Sequence, residues 1–303
     1  RISWRLQLQD VVKSRQLIRE CVAQAAEEVF QGSDDSNFTD LGGASELLNV
    51  EKKIEFFLST LRKYFSTYLF DPTFVELDFG KNSPLTRTIR VNEKTVYITG
   101  RLDRLDLYKD KKGDIWLAVI DYKSGEKKFE QKEFDAGIQL QLIAYLFALQ
   151  AEGSLELIKK HSSLQIQGFE KIKMAGAFYV SLKMPFLKNW KRTAKPFQHR
   201  GRFNKSLLKG DTAYLDNLDS GPPSQQFSTK KPDAISEGEL YLLIDQTQAI
   251  VKELIRLILE GQFPVTPLSC EYCLAKNICR FDGRKKRAKK LRPLLTMAQG
   301  SEK

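Results

Sequence analysis

The sequence predicts an α/β fold with a central mixed sheet flanked by helices, and three observations predict it. Runs rich in β-formers lie in the middle of the chain and enclose one strongly apolar helix-length segment. Apolar residues recur at helical spacing near both ends. A charged pair, Asp121 and Lys123, follows directly on the apolar run Leu117-Ala118-Val119-Ile120, as at the end of a buried strand.

The elements follow in order. Residues 10–30 carry Leu17, Val22, Ala25 and Val29 at helical spacing, and residues 45–70 carry Ile54, Phe57, Leu58, Leu61 and Phe65. Residues 31–45, rich in Gly, Ser, Asp and Asn, read as a loop between them. Strands are predicted over 73–79, 95–108 and 115–122, the last two joined by a turn at Lys109-Asp110-Lys111-Lys112-Gly113-Asp114. A helix over 137–150 and a strand over 175–182 complete the mixed order. Residues 183–236, broken by Gly221-Pro222-Pro223 and Lys230-Lys231-Pro232, read as an irregular excursion on the same domain. An amphipathic helix over 237–260 uses Leu240, Leu243, Ile244, Ile250, Leu254 and Ile258 as its apolar positions. The organisation expected is one domain over 1–283, ending in a cysteine segment over 262–283, then a basic tail over 284–303.

At 303 residues the chain is long enough for one large domain or two small ones. No apolar run approaches the roughly 18–20 residues of a membrane span, and Arg1-Ile2-Ser3-Trp4 has no signal-peptide core. A cytoplasmic location is therefore expected. A first residue of Arg suggests a processed product or a segment of a longer polypeptide. Lys and Arg number 49 against 38 Asp and Glu, a net charge of +11. That surplus favours a polyanionic partner, nucleic acid ahead of a membrane, although a merely soluble basic surface fits the charge alone. The run from Arg284 to Arg292 adds to it.

Side chains alternate along a strand, so Asp121 and Lys123 share a face with Leu117 and Val119, while Trp116, Ala118 and Ile120 share the other. Pairing around a turn near Lys112 places Asp103 opposite Asp121, where same-face neighbours lie about 4.5–5.5 Å apart. Two facing carboxylates repel unless a cation lies between them. Mg²⁺ suits such a pair with a backbone carbonyl and water, and Lys123 suits stabilisation of an anionic transition state. The competing reading is a surface ion pair, Asp121 with Lys123 or Asp103 with Arg101.

Gly100-x-x-Asp103, Asp121-Tyr122-Lys123-Ser124-Gly125 and Gln141-x-x-x-Tyr145 together resemble the PD-(D/E)XK nucleases of the RecB-like group. Within the group the chain is most similar to the C-terminal nuclease domain of the AddB family, which belongs to bacterial helicase–nucleases. Phe74-Val75-Glu76-Leu77-Asp78-Phe79-Gly80, Ala175-Gly176-Ala177-Phe178-Tyr179 and Cys270-Glu271-Tyr272-Cys273 through Cys279-Arg280-Phe281-Asp282 extend the likeness over most of 70–285. The resemblance implies a restriction-endonuclease-like core. It implies Mg²⁺ (or Mn²⁺) on Asp103 and Asp121, catalytic support from Lys123, positioning by Gln141 and Tyr145, and Glu76 as a possible accessory.

Of the four cysteines, three form Cys270-x₂-Cys273-x₅-Cys279, a soft thiolate set that fits Zn²⁺ or an iron–sulfur cluster. The resemblance implies a [4Fe–4S] cluster completed by an upstream cysteine. Cys21 is the candidate present, although its Ile18-Arg19-Glu20-Cys21 surroundings differ from the family's Cys-Pro-Phe and equally fit a small core residue. The other source is a ligand N-terminal to this chain. The family also places a histidine upstream of the first strand, and none precedes His161 here. Its segment has been removed, its role is filled differently, or the chemistry is impaired.

The function expected is a metal-dependent DNA exonuclease releasing 3′-hydroxyl and 5′-phosphate ends, the nuclease part of a helicase–nuclease that processes double-strand DNA ends for recombinational repair. Its partners would be DNA, with single-stranded ends, and a helicase–nuclease partner subunit, without a membrane. The alternatives are a freestanding exonuclease of the same kind and a catalytically impaired DNA-binding scaffold.

Overall fold

The computed structural model describes residues 10–30, 41–65, 68–160, 171–183, 187–188, 191–192, 197–208, 232–262, 278 and 293–295. Two helices come first, α1 (Val11–Phe30) and α2 (Leu41–Phe65). They lie against each other through Ile18 and Val22, with Arg15 3.2 Å from Glu55 and Arg19 3.8 Å from Glu51. Leu17, expected on the inner face, is exposed, and α2 starts earlier than the expected end of the loop at 45.

A six-stranded sheet follows. It contains β1 (Asp71–Phe79), β4 (Gly100–Lys109), β5 (Ile115–Lys123), β6 (Ile172–Ser181), β9 (His199–Asn204) and β10 (Ala234–Ile235), in that spatial order. The β5–β6 and β9–β10 pairs are parallel and the others antiparallel, so the sheet is mixed as the sequence predicts. Between β1 and β4 stands a separate hairpin, β2 (Arg87–Val91) with β3 (Lys94–Ile98). The single strand expected over 95–108 is therefore two, parted at Thr99. A second small hairpin pairs β7 (Leu187–Lys188) with β8 (Lys191–Arg192).

The β4–β5 turn is held by one carboxylate. Asp110 accepts hydrogen bonds from the backbone N–H of Lys112 and Asp114 and from the indole of Trp116, each at 2.9 Å. Burial works to raise its pKa, but these donors, Trp116 foremost, hold it below the ordinary carboxylate value.

Helices follow β5: α3 (Gln131–Asp135), α4 (Gln141–Leu149) and α5 (Gly153–Lys160). The helix expected over 137–150 begins later because Gly137 takes φ +74 and Gln139 turns inward. Gln139 donates to Lys128 O at 2.9 Å and accepts from Glu130 N–H at 2.6 Å. Helix α4 buries every residue from Leu142 to Leu149 except Ala144, as a helix sandwiched between a sheet and another helix must. The last long helix, α6 (Glu237–Leu259), packs against it. Ser236 starts α6 with a capping box: its Oγ accepts from Glu239 N–H at 3.3 Å, and Glu239 Oε2 accepts from Ser236 N–H at 2.7 Å.

The sheet thus divides two cores. On one side Leu117, Val119, Ala177 and Tyr179 meet Leu142, Leu146, Leu240 and Ile244. On the other Trp116, Ala118, Ile120 and Phe178 meet Leu61, Tyr68, Phe70 and Phe203, with Phe56 and Phe57 of α2 against them. The alternation read along 116–120 is the one observed.

Residues 183–236, expected to be irregular, supply β9 and β10 to the central sheet. Strand β9 is hard to see because its buried inward group is Arg202. That guanidinium lies 4.3 Å from the Phe129 ring centroid and 3.7 Å from Asp233. Its partner strand β6 must pass close by. At the register break beside Ala118, Gly176 takes φ +154, and a Cβ there would lie 2.6 Å from Arg202 O and 2.7 Å from Phe203 Cα. Gly176→Ala is expected to cost about 2–3 kcal/mol, read as a lowered urea midpoint. An unchanged midpoint would mean that β9 shifts freely.

Candidate active site

The ends of β4 and β5 and the first turn of α4 bring the predicted residues together. Asp103 is half-buried on β4, and its Oδ2 accepts a 2.7 Å hydrogen bond from the backbone N–H of Tyr122. Asp121 is 1% exposed at the end of β5. Its Oδ1 accepts from the hydroxyl of Tyr145 at 3.1 Å, and its Oδ2 lies 2.6 Å from Lys123 Nζ. That ammonium also donates to Gln141 Oε1 at 3.1 Å. Gln141 Nε2 in turn donates to Tyr145 Oη at 2.6 Å, closing a ring of contacts across one helical turn.

The electrostatics are asymmetric. Burial pushes the Asp121 carboxyl up, and the nearby Asp103 charge adds to the rise, while Lys123 and Tyr145 only partly offset it. Burial and the Asp121 charge together push the Tyr145 phenol up, so it remains a donor. The Lys123–Asp121 contact is an ion pair, as the competing reading held, but its acid is inside the protein. Asp103 does not pair with Arg101. That guanidinium instead grips Asp78 at 2.6 and 3.2 Å.

Does the arrangement fit a divalent cation? Asp121 Oδ2 is buried and, despite its ionic contact with Lys123, receives no well-directed hydrogen bond. A raised carboxyl with an undersatisfied oxygen beside a second carboxylate suits a hard cation. Among the described residues no group of three His, Cys, Asp or Glu forms a metal-holding cluster. The protein's share of such a site would be the carboxylates of Asp103 and Asp121, with main-chain oxygen and water for the rest.

Glu76 stands across from Asp103, between the pairs Val75–Arg104 and Leu77–Leu102. Its backbone takes φ +49, and its carboxylate lies 3.6 Å from Arg101, outside the ring of contacts. Cys21 is exposed on α1, so the core-residue reading fails. Cys270, Cys273 and Cys279 lie outside the described residues, as does most of the basic tail.

Three further residues were not predicted from the sequence. Tyr179 pairs in register with Asp121 on β6, and its ring lies 5.7 Å from Lys123 Nζ. Arg104 and Asp106 fill the opposite face of β4, and the Arg-x-Asp spacing inside an apolar strand was their signal.

A sequence model of the PD-(D/E)XK nuclease superfamily matches residues 5–280. The chain is 28% identical over 237 residues to a subunit of an ATP-dependent helicase/deoxyribonuclease of Alkaliphilus metalliredigens, covering 70% of this chain and 20% of that protein. The counterpart from Ruminiclostridium cellulolyticum, which bears the same name, is 25% identical over 294 residues, covering 86% of this chain and 24% of the relative. One from Clostridium botulinum strain Hall is 26% identical over 273 residues, covering 78% and 23%. The chain spans only about a fifth to a quarter of the length of these relatives.

Proposed function

The chain belongs to the PD-(D/E)XK nuclease superfamily, and from that premise we propose that it is a metal-dependent DNA exonuclease. The observation that carries the reading is the buried Asp121 carboxyl, raised by its burial and by the nearby Asp103 and in ionic contact with Lys123. Asp103 and Asp121 would hold Mg²⁺ or Mn²⁺, whose chemistry when bound would be to polarise the scissile phosphate and lower the pKa of a water.

The chain's own groups do the rest. Tyr145 keeps Asp121 oriented, Gln141 keeps both Tyr145 and Lys123 in place, and Lys123 offers its charge to the developing phosphate anion. Water oxygen would bond to phosphorus as the P–O3′ bond breaks, with one of the water's protons passing to the departing O3′, leaving a 5′-phosphate and a 3′-hydroxyl. The net charge of +11 supports phosphate contacts along the strand, so binding should weaken steeply as salt rises.

The relatives are subunits of a helicase/deoxyribonuclease by name, which supports a place for this chain beside a helicase; in this reading the helicase feeds it single-stranded ends during recombinational repair. The test is digestion of end-labelled linear DNA with Mg²⁺ or Mn²⁺. Loss of label on linear but not covalently closed DNA, blocked by a chelator, is expected. Tight binding of intact DNA without cleavage under either cation would overturn the enzyme in favour of a DNA-binding scaffold.

The same reading assigns a [4Fe–4S] cluster to Cys270, Cys273 and Cys279 with one upstream thiolate; the spacing fits zinc equally, and the resemblance to the AddB family favours the cluster. Protein prepared without oxygen should be brown and contain iron and sulfide, and Cys273→Ala should lose both. Stoichiometric zinc without iron would overturn the cluster. Iron content that falls in Cys21→Ala identifies the fourth ligand, and unchanged iron excludes Cys21.

A further inference from the structure

The Asp103 carboxylate is held from the far side of the sheet. The β4–β5 ladder runs as far as the pair Arg104–Ile120. Beyond it, the Tyr122 amide donates to the Asp103 side chain at 2.7 Å. Tyr122 neighbours Asp121 in the strand, so its ring lies on the opposite face, against the second core. There its hydroxyl accepts a short hydrogen bond from Arg104 Nη1. The Arg104 guanidinium lies 5.6 Å from the centre of the Tyr122 ring, and Phe57 of α2 meets that ring edge-on at 5.7 Å.

Arg104 is itself pinned. Its Nε and Nη2 reach the two Asp106 oxygens at 2.7 and 2.9 Å, and the Tyr68 hydroxyl donates to Asp106 Oδ2 at 3.1 Å. Both charges are buried, Arg104 at 5% and Asp106 at 0% exposure. A buried ion pair of this kind adds little net stability over apolar residues of the same volume. What it delivers is geometry, because a planar guanidinium gripped at two points presents its remaining nitrogen in one direction.

We propose that Arg104 and Tyr122 are positioning residues: they fix the Tyr122 amide, and through it the Asp103 carboxylate, in the orientation that binds a divalent cation. The inference rests on the metal-dependent reading above. Residues behind a metal ligand typically alter affinity about 10–100-fold when lost.

The experiment measures Mn²⁺ binding calorimetrically to the intact chain, with a DNA digestion and a melting curve for each variant. In Tyr122→Phe the ring stays and only the anchor to Arg104 goes. The dissociation constant for Mn²⁺ should rise about tenfold, and excess Mn²⁺ should restore most of the digestion rate. Tyr68→Phe removes a hydrogen bond from the same buried network without touching the Tyr122 anchor. Its Mn²⁺ affinity should stay at the wild-type value whatever its melting temperature. Wild-type affinity in Tyr122→Phe, or equal losses in both variants, would overturn the proposal while leaving the nuclease reading intact. A wild-type chain that binds no Mn²⁺ and cuts no DNA would instead remove the reading on which it rests.

Discussion

Asp121→Asn and Lys123→Ala should each lower metal-dependent degradation of linear DNA by about a thousandfold or more, and the asparagine variant should fold better than the wild type. The first effect follows from the site. Asparagine keeps the shape and the bond from Tyr145 but offers no charge to a cation, and alanine removes the ammonium that contacts both Asp121 and Gln141. The second follows from the raised Asp121 carboxyl, which binds its proton more tightly in the folded chain than in the unfolded one. Its contribution to stability is therefore complete in acid and is lost as pH rises from the ordinary carboxylate range through the folded pKa. Asparagine does not ionise and escapes that loss. In cation-free buffer at neutral pH, Asp121→Asn should melt a few degrees above the wild type. Wild-type digestion by either variant would end the assignment. A lower melting temperature for Asp121→Asn would show that the carboxylate is satisfied without a cation.

Asp106→Ala should be among the most destabilising single substitutions in the described core, costing about 3–5 kcal/mol because it strands a buried guanidinium. Burial works against the charge on Arg104, but Asp106, with Tyr122 and Tyr68, outweighs it and holds the guanidinium above its ordinary value. A guanidinium titrates so far above neutrality that Arg104 remains charged when its acid is removed. The double variant Arg104→Met with Asp106→Leu removes both charges and should recover most of the loss, since no unpaired ion is left. Chemical denaturation of the single and double variants checks this. Equal losses in both would mean that the ion pair itself, not the avoidance of a stranded charge, supports the fold.

The residues on the Asp121 side of the sheet were legible because strand alternation is local. Knowing that 116–123 is a strand is enough to set Asp121 and Lys123 on one face and Trp116, Ala118 and Ile120 on the other. Gln141 and Tyr145 were legible for the same reason at helical spacing. On the reverse side the Arg-x-Asp spacing marks Arg104 and Asp106, but their partners Tyr122 and Tyr68 lie on other segments and no local pattern reveals them. Strand β9 was missed for a related cause. His199-Arg200-Gly201-Arg202-Phe203-Asn204 has no apolar alternation, and Arg202 is buried only because Asp233 and Phe129 receive it. The start of α4 was misplaced because Gln139 satisfies backbone groups of a loop about ten residues away, a bond that no periodicity encodes.

The two margins of the central sheet bear on how the molecule can associate. At one margin β1 has Pro72, which lacks an N–H, a register break before Phe74 and a left-handed turn of backbone at Glu76. Its exposed Glu76 and Asp78 add negative charge to the same margin. At the other margin β10 is two residues long. A foreign strand needs several consecutive, evenly spaced backbone groups to add to a sheet, and among the described residues neither margin presents them. Growth of the sheet by recruitment of another chain, whether a second copy during concentration or an extended segment of a larger assembly, is thereby discouraged at both ends. Association through side chains of helices and loops carries no such penalty.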